Sequence, residues 1–467
     1  MILKQLIIIM ATLAIVCYCQ LPGTGIIRKL TPNQQKIMDT IDKRTDQITQ
    51  FLSIANLQPN ETFSKLFPSL SKISLSKIKE CYDMSVKDEE YNFFDQNLAS
   101  TLRTYYKNFP ENFDVKQFPK RMKNLFDSMM QIANYTIACI ADIGEYQLGL
   151  TQLSDWDDKE YKILLGEKIS NNIDNDYNNR KQGKSSRSGN RSPSLGSLNP
   201  LSGNRNRGGG GGSSGNNGGR LRLKRAIEVA DECKAKNRDK LPKTFDWRKK
   251  GMVTEPKFQS KCGSCWAFVS TSIVESAYLI NGLTKNKSFD LSEQELIDCA
   301  KKNGKGCNGG TAIDSFNYML TVDGLTDESS YPYESKDGNC RGTKKNRAAV
   351  IDDYCVRGKY VTLNGKKEEL SDEDIQYLIK EFGPVYSTIN ADDLANMKNL
   401  KKGVYKNKKC DKKTNHAIVI VGWDEKAWIV KNSWGTGWGD KGFFRMKRGE
   451  NLCGINTYII FPLVGLE

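Results

Sequence analysis

Apolar residues return every three or four positions through the first third of the chain. Ile37, Ile41, Ile48, Phe51 and Leu52 fall on one helix face, and Leu125, Met129, Ile132 and Ala133 repeat the arrangement. Residues 20–168 are therefore expected to form a helical region, punctuated by Pro110 and Pro119. Ahead of it stand Lys4, a largely apolar run from Leu6 to Val16, and Cys17-Tyr18-Cys19. A basic start, about a dozen apolar residues and a small-residue exit describe a signal peptide over 1–19, too short to anchor in a bilayer. The pattern then disappears between 169 and 240. Glycine fills 12 of the 38 positions from Gly183 to Arg220, and Ser and Asn fill much of the rest. Such a segment buries too little apolar surface to offset its backbone entropy, so it is expected to be a flexible linker. From Leu241 onward β-branched runs such as Ile418 to Val421 appear among aromatics. The 227 residues of 241–467 are enough for a substantial core in two subdomains.

The chain's 70 basic and 55 acidic residues give a net charge of +15, which by itself would suggest a polyanionic partner. Its distribution changes that picture. Residues 177–227 carry 11 basic and no acidic groups and end in Arg220-Leu221-Arg222-Leu223-Lys224-Arg225. A basic cluster in an exposed linker is a place where processing proteases cut, whereas 241–467 carries only +6. Thirteen cysteines favour an oxidising compartment, as do the sequons at Asn60, Asn134, Asn190 and Asn286. The single histidine, His416, excludes His-rich metal sites.

The chemistry concentrates in three segments. Gln259-Ser260-Lys261-Cys262-Gly263-Ser264-Cys265-Trp266 precedes an apolar stretch that reads as a buried helix ending at Asn281-Gly282. Cys265 then sits at a helix N-terminus, where unpaired amides favour the nucleophilic thiolate. A thiolate also needs a base and an orienting group. His416 lies just before the apolar strand Ile418 to Trp423, and Asn432-Ser433-Trp434-Gly435 follows. Asn432 can accept the ring N–H while Trp434 shields that bond from water.

These blocks resemble the papain-family cysteine peptidases, as do Gly306-Cys307-Asn308-Gly309-Gly310 and the opening Leu241 to Arg248. The resemblance covers nearly all of 241–467. It implies an α+β fold of two subdomains, one helical and one resembling a β-barrel, preceded by a helical prosegment. It implies a secreted zymogen that hydrolyses peptide bonds internally, with Cys265 as nucleophile and His416 as acid and base. Asn432 would orient the imidazole, and Gln259 with the Cys265 backbone N–H would form the oxyanion hole. Gly309 and Gly310 would lie along the cleft with Trp434, and Thr311, Ala312, Thr388 and Tyr458 would shape the S2 pocket. Cys262 would pair with Cys307, Cys299 with Cys340, and Cys410 with Cys453. Evenness alone suggests Cys81 with Cys139 and Cys233 with Cys355. Gly149, Asp155 and Arg121 fit the family's inhibitory prosegment, best over 90–168, whereas Thr151, Leu153, Leu125, Ser128 and Thr136 depart from it. That segment would cross the cleft in the unproductive direction and act as an intramolecular inhibitor. No cofactor or metal is implied. Expected partners are protein and peptide substrates, with no nucleic acid and no stable membrane anchor, for a monomer in the lysosome, the vacuole or the extracellular space.

Other readings leave residues unexplained. A thiol–disulfide oxidoreductase would use Cys262 through Cys265 as a C-x-x-C motif, but it assigns nothing to His416 or Asn432. A zinc module fails on the spacings to Cys299 and Cys307, and a nucleic-acid binder lacks aromatics beside its basic residues. An exopeptidase would need a block at one end of the cleft, and the chain from Gly310 to Cys340 is short and contains no histidine.

Overall fold

The computed structural model describes scattered positions between 105 and 132, residues 146–167, Cys233, and 241–465 apart from short gaps at 301–305, 342–346, 360–361, 364–365, 368 and 408. The signal segment, residues 20–104, the Cys81–Cys139 pairing and the linker other than Cys233 lie outside the described residues. In chain order the elements begin with β1 (Tyr146–Leu148), α1 (Asp158–Ile163) and β2 (Phe245–Asp246). Three helices follow, α2 (Cys265–Ile280), α3 (Glu293–Cys299) and α4 (Ala312–Thr321). Then come β3 (Asp353–Gly358), a small hairpin of β4 (Thr362–Leu363) and β5 (Lys366–Lys367), α5 (Asp372–Phe382), β6 (Val385–Ile389) and α6 (Leu394–Met397). The chain closes with β7 (Leu400–Tyr405), β8 (His416–Trp423), β9 (Ala427–Lys431), β10 (Phe443–Lys447) and β11 (Tyr458–Leu463).

Helix α2 is apolar or small on almost every side, and only Tyr278 and Ile280 escape full burial. A helix without a polar face must be enclosed, and α3, α4 and the sheet enclose it. It ends where Gly282 adopts φ +68°, the left-handed C-terminal position that glycine fills without strain. The Ser292 and Thr311 hydroxyls cap α3 and α4 by accepting the backbone N–H three residues on. Trp266, Ile273, Ile297 and Phe316 form one core with Val419, Tyr386 and Tyr458 of the sheet. A nine-stranded sheet runs in the order β1-β7-β10-β9-β8-β6-β11-β3, with β2 paired to β8. Its other face packs on α5 and on prosegment residues around Trp428, Trp434 and Trp438.

Every residue of β8 is buried, so the strand carrying His416 is central and rigid. Disulfides join Cys262–Cys307, Cys299–Cys340, Cys410–Cys453 and also Cys233–Cys355. One sequence expectation is corrected. Tyr146 to Leu148 was expected within a helical region, but it is a strand on the sheet's edge, with Tyr146 opposite Gly403 and Leu148 opposite Leu400. The unpaired backbone of β7 supplies hydrogen bonds that local sequence cannot reveal.

Candidate active site

The elements bring three separated segments to one point. Cys265 opens α2 and is fully buried, behind an N-cap, Ser264, whose side chain leaves the first-turn amides uncapped. His416 opens β8, and its Nε2 lies 2.8 Å from Asn432 Oδ1, one residue past β9. An amide oxygen only accepts, so Nε2 carries the proton and the neutral ring keeps its lone pair on Nδ1. That Nδ1 makes no hydrogen bond. The backbone N–H of the next residue, Ala417, acts on the Cys265 thiol, which places the thiol beside the start of β8. The Asn432 oxygen also accepts the Ser433 N–H at 2.8 Å, which fixes the amide's orientation. Trp434, fully buried, lies 4.7 Å from the imidazole between ring centres and covers this bond.

Gln259 is held from behind. The Ser433 hydroxyl donates to its Oε1 at 2.6 Å, which turns the Nε2 group toward the cleft. There it donates to Cys262 O at 2.8 Å and to Leu164 O at 3.2 Å. A prosegment carbonyl is thus received by the amide expected to hold an oxyanion.

The blocking segment follows α1. Asp157 caps that helix with Glu160 in a reciprocal pair of hydrogen bonds. Tyr161 donates its hydroxyl to Ala391 O at 3.0 Å and sets its ring on Trp434. Leu164 then faces the His416 ring with its carbonyl, and the Gly166 N–H reaches the Cys265 thiol. Gly166 O accepts from Gly310 N at 3.0 Å, and Glu167 N donates to Asn415 O at 3.1 Å, in a parallel bridge with Gly310. A Cβ on Gly166 would fall 1.9 Å from Gly263 O, so only glycine passes this point.

This cover corrects the expectation of a thiolate. Burial pushes the Cys265 thiol up to about 12, although three backbone N–H groups oppose the shift. Burial pushes His416 down to about 4 against its bond to Asn432 and the nearby Leu164 carbonyl. Both groups are neutral in this state because the segment excludes the water that would solvate an ion pair.

The remaining sequence candidates occupy the same cleft in different ways. Gly310 lines it, although a side chain there would strike the Trp266 ring at 2.4 Å as well as crowd the blocking segment. Gly309 sits at φ +104° just before it. The Thr311 hydroxyl is engaged with Asp314 as the cap of α4, and Ala312 is buried behind it. Thr388 and Tyr458 are fully buried on neighbouring strands, opposite each other when the Ile460–Tyr386 register is extended by two residues. Sequence reasoning missed Leu164, Gly166 and Glu167. It also missed Tyr386, whose hydroxyl contacts Glu167. The only signal was a glycine between two polar-flanked stretches.

The sequence model for papain family cysteine protease matches residues 241–463. Cathepsin S of Bos taurus is 40% identical over 230 residues, covering 48% of this chain and 65% of its own length. Cathepsin S of Mus musculus is 36% identical over 253 residues, covering 52% and 70%. The chain spans less than two thirds of the length of most of the curated relatives it matches, 65% of the Bos taurus protein and 70% of the Mus musculus one. Among solved structures, the digestive procathepsin L2 proteinase from Tenebrio molitor larval midgut aligns with a TM-score of 0.59 at 26% identity. That alignment covers 79% of this chain and all of the other. The chain belongs to the papain family of cysteine proteases, with an α+β fold and a prosegment.

Proposed function

We propose that the chain is a cysteine endopeptidase made as an autoinhibited zymogen. The observation that carries the proposal is the convergence of Cys265, His416–Asn432 and Gln259 on one point, already occupied by the chain's own backbone at Leu164 to Gly166. Once that segment leaves, water reaches the dyad, and the helix N-terminus and imidazole favour a thiolate–imidazolium pair. The sulfur adds to a peptide carbonyl carbon, and the oxygen takes the place of Leu164 O on the Gln259 amide. The C–N bond then breaks, His416 delivers its proton to the leaving amine, and a thioester remains on Cys265. Water, deprotonated by His416, adds to that thioester, the C–S bond breaks, and the thiol returns with the acid product.

Under this reading 1–19 is a signal peptide, 20–168 the inhibitory region, 169–240 a processed linker and 241–467 the peptidase domain. Its partners are peptide and protein substrates and its own prosegment, and it travels the secretory route to a lysosome, a vacuole or the exterior. The test is hydrolysis of a long peptide by the activated chain, with products identified by mass. Internal cuts are expected, lost in Cys265→Ala and reduced about 10²–10³-fold in Gln259→Ala. Stepwise loss of one or two terminal residues would refute the endopeptidase assignment, and unchanged cleavage by Cys265→Ala would refute the mechanism.

A further inference from the structure

The segment that closes the cleft carries a side chain whose surroundings the zymogen reading leaves unexplained. Glu167 is 5% exposed although it is a carboxylate. The Tyr386 hydroxyl bonds its Oε2, while Oε1 has no hydrogen-bond partner. The groups acting on it are Tyr386 of β6 and Asp314 of α4, and it acts in turn on the Cys265 thiol of α2. No ammonium or guanidinium is among them, and Asp314 adds charge of the wrong sign for an anion. A recess of this kind holds a carboxyl only as the neutral acid, and burial accordingly drives Glu167 well above the usual carboxylate range.

The recess is built from hydroxyls. Tyr386 and Thr388 lie two residues apart on β6 and so share a face. Tyr458 of β11 lies on that face too, its ring centre 6.2 Å from that of Tyr386. The Thr388 hydroxyl is buried without a hydrogen-bond partner. Thr388 and Tyr458 are also the residues that the family resemblance places at the S2 pocket.

We propose that Tyr386 makes this pocket selective for a neutral polar side chain of glutamine shape, with glutamic acid accepted only when protonated. The inference rests on the peptidase reading and supplies its substrate class. A glutamine amide has the planar outline of protonated Glu167, with a carbonyl for the Tyr386 hydroxyl and an N–H group for the neighbouring hydroxyls. A leucine or phenylalanine in the pocket leaves the Tyr386 hydroxyl buried and unpaired, which lowers its turnover at least about tenfold.

The full-length chain, activated by limited proteolysis in the linker, tests this with fluorogenic peptides that differ only at P2. Expected is a kcat/KM for Gln at least about tenfold above that for Leu, with Glu approaching Gln at pH 4 and falling away by pH 7. Tyr386→Phe should bring the Gln-to-Leu ratio near one, lowering Gln turnover and raising that of Leu. A Leu or Phe preference in the wild type, or equal losses on both peptides in Tyr386→Phe, would overturn the proposal. A second readout needs no peptide hydrolysis. In the intact chain, Cys265 alkylation should be no faster in Glu167→Gln than in the wild type and several-fold faster in Glu167→Leu. Equal protection in the two variants would overturn the pocket assignment. If every peptide resists cleavage while this protection pattern appears, the peptidase reading fails and the pocket assignment stands.

Discussion

At the scale of single residues, the site is defined by what each atom faces. Cys265 and His416 are neutral under the blocking segment because both are buried, and that has a measurable consequence. A thiol pushed up to about 12 is almost wholly protonated at pH 7, so the intact chain should react slowly with iodoacetamide, its rate climbing about tenfold per pH unit through the neutral range. His416, held down to about 4, stays neutral throughout that range and lends the thiol no charge. Removing the segment readmits water, so the activated chain should alkylate faster at pH 6 to 7 and with a flatter profile. Mass spectrometry of the Cys265 peptide at a series of pH values would show this, and identical profiles before and after activation would refute it. Among residues, the proposed nucleophile, base, orienter and oxyanion donor each lie in a short ordered block of the sequence whose chemistry calls for that side chain. Tyr386 was not legible there, since a tyrosine inside an apolar strand reads as core. Only the chain folded against it reveals that its hydroxyl faces a cleft.

The elements show why some of these positions tolerate no change. Gly166 lies between α1 and the Gly310 bridge, and its nearest neighbour is the Gly263 carbonyl. Gly166→Ala puts a methyl group 1.9 Å from that oxygen, so the strand must lift from the cleft. Expected is several-fold higher peptide hydrolysis by the intact chain, with no change once the prosegment is gone. An intact variant as silent as the wild type would show that the close approach does not govern closure.

Beneath the site, α2 and α3 are joined by Lys257, which pairs with Glu275 at 3.1 Å, with Glu293 at 2.6 Å and with Asp290. Lys431, the last residue of β9, donates to Thr254 and Ser272 beside Glu275 and is pushed by burial to about 8. The three carboxylates approach closely enough to hold a cation, and the Lys257 ammonium stands among them in that role. Lys257→Met would leave Glu275 and Glu293 buried without it, a loss of about 3–5 kcal/mol measurable by chemical denaturation. A stability within 1 kcal/mol of the wild type would show that the carboxylates take up protons instead. Helix α2 and strand β8 were readable from their apolar runs, whereas the periodic stretch from Ile37 to Leu52 lies outside the described residues. The β1 strand was not readable, because three residues with no turn signal become a strand only when β7 offers its edge.

Over the whole molecule, the pH dependence of closure is a balance between carboxyl groups pulling in opposite directions. Burial alone would raise Glu160, but Lys261 of the peptidase domain, the Asp157 backbone N–H and Arg121 outweigh it and hold it low. Arg121 grips Glu160 with both guanidinium nitrogens, at 3.0 and 2.6 Å, and Lys261 adds a bond at 2.9 Å across the interface. A group whose docked pKa is depressed contributes above its free value, about 4.3, and the contribution is lost as pH falls through the depressed one. This limb favours release in acid. Glu167 has the opposite sign. Its docked pKa is raised, so its contribution is complete below about 4.3 and fades as pH rises toward the raised value. Asp155, raised to about 7 by burial despite Arg121, adds to that second limb from inside the prosegment. Closure should therefore be tightest in a mildly acidic window and loosen on both sides of it. Active-site titration of the intact chain between pH 3 and 8, under conditions that block self-cleavage, measures the open fraction directly. Glu160→Gln should raise that fraction at pH 6, and the difference from the wild type should shrink as acid protonates the Glu160 carboxylate. Glu167→Gln should lower it at pH 7 to 8 and leave the acid limb untouched. An open fraction that only rises with acid, unchanged at pH 8 by Glu167→Gln, would mean that the buried carboxyl is solvated before it ionises and that Glu160 alone sets the response.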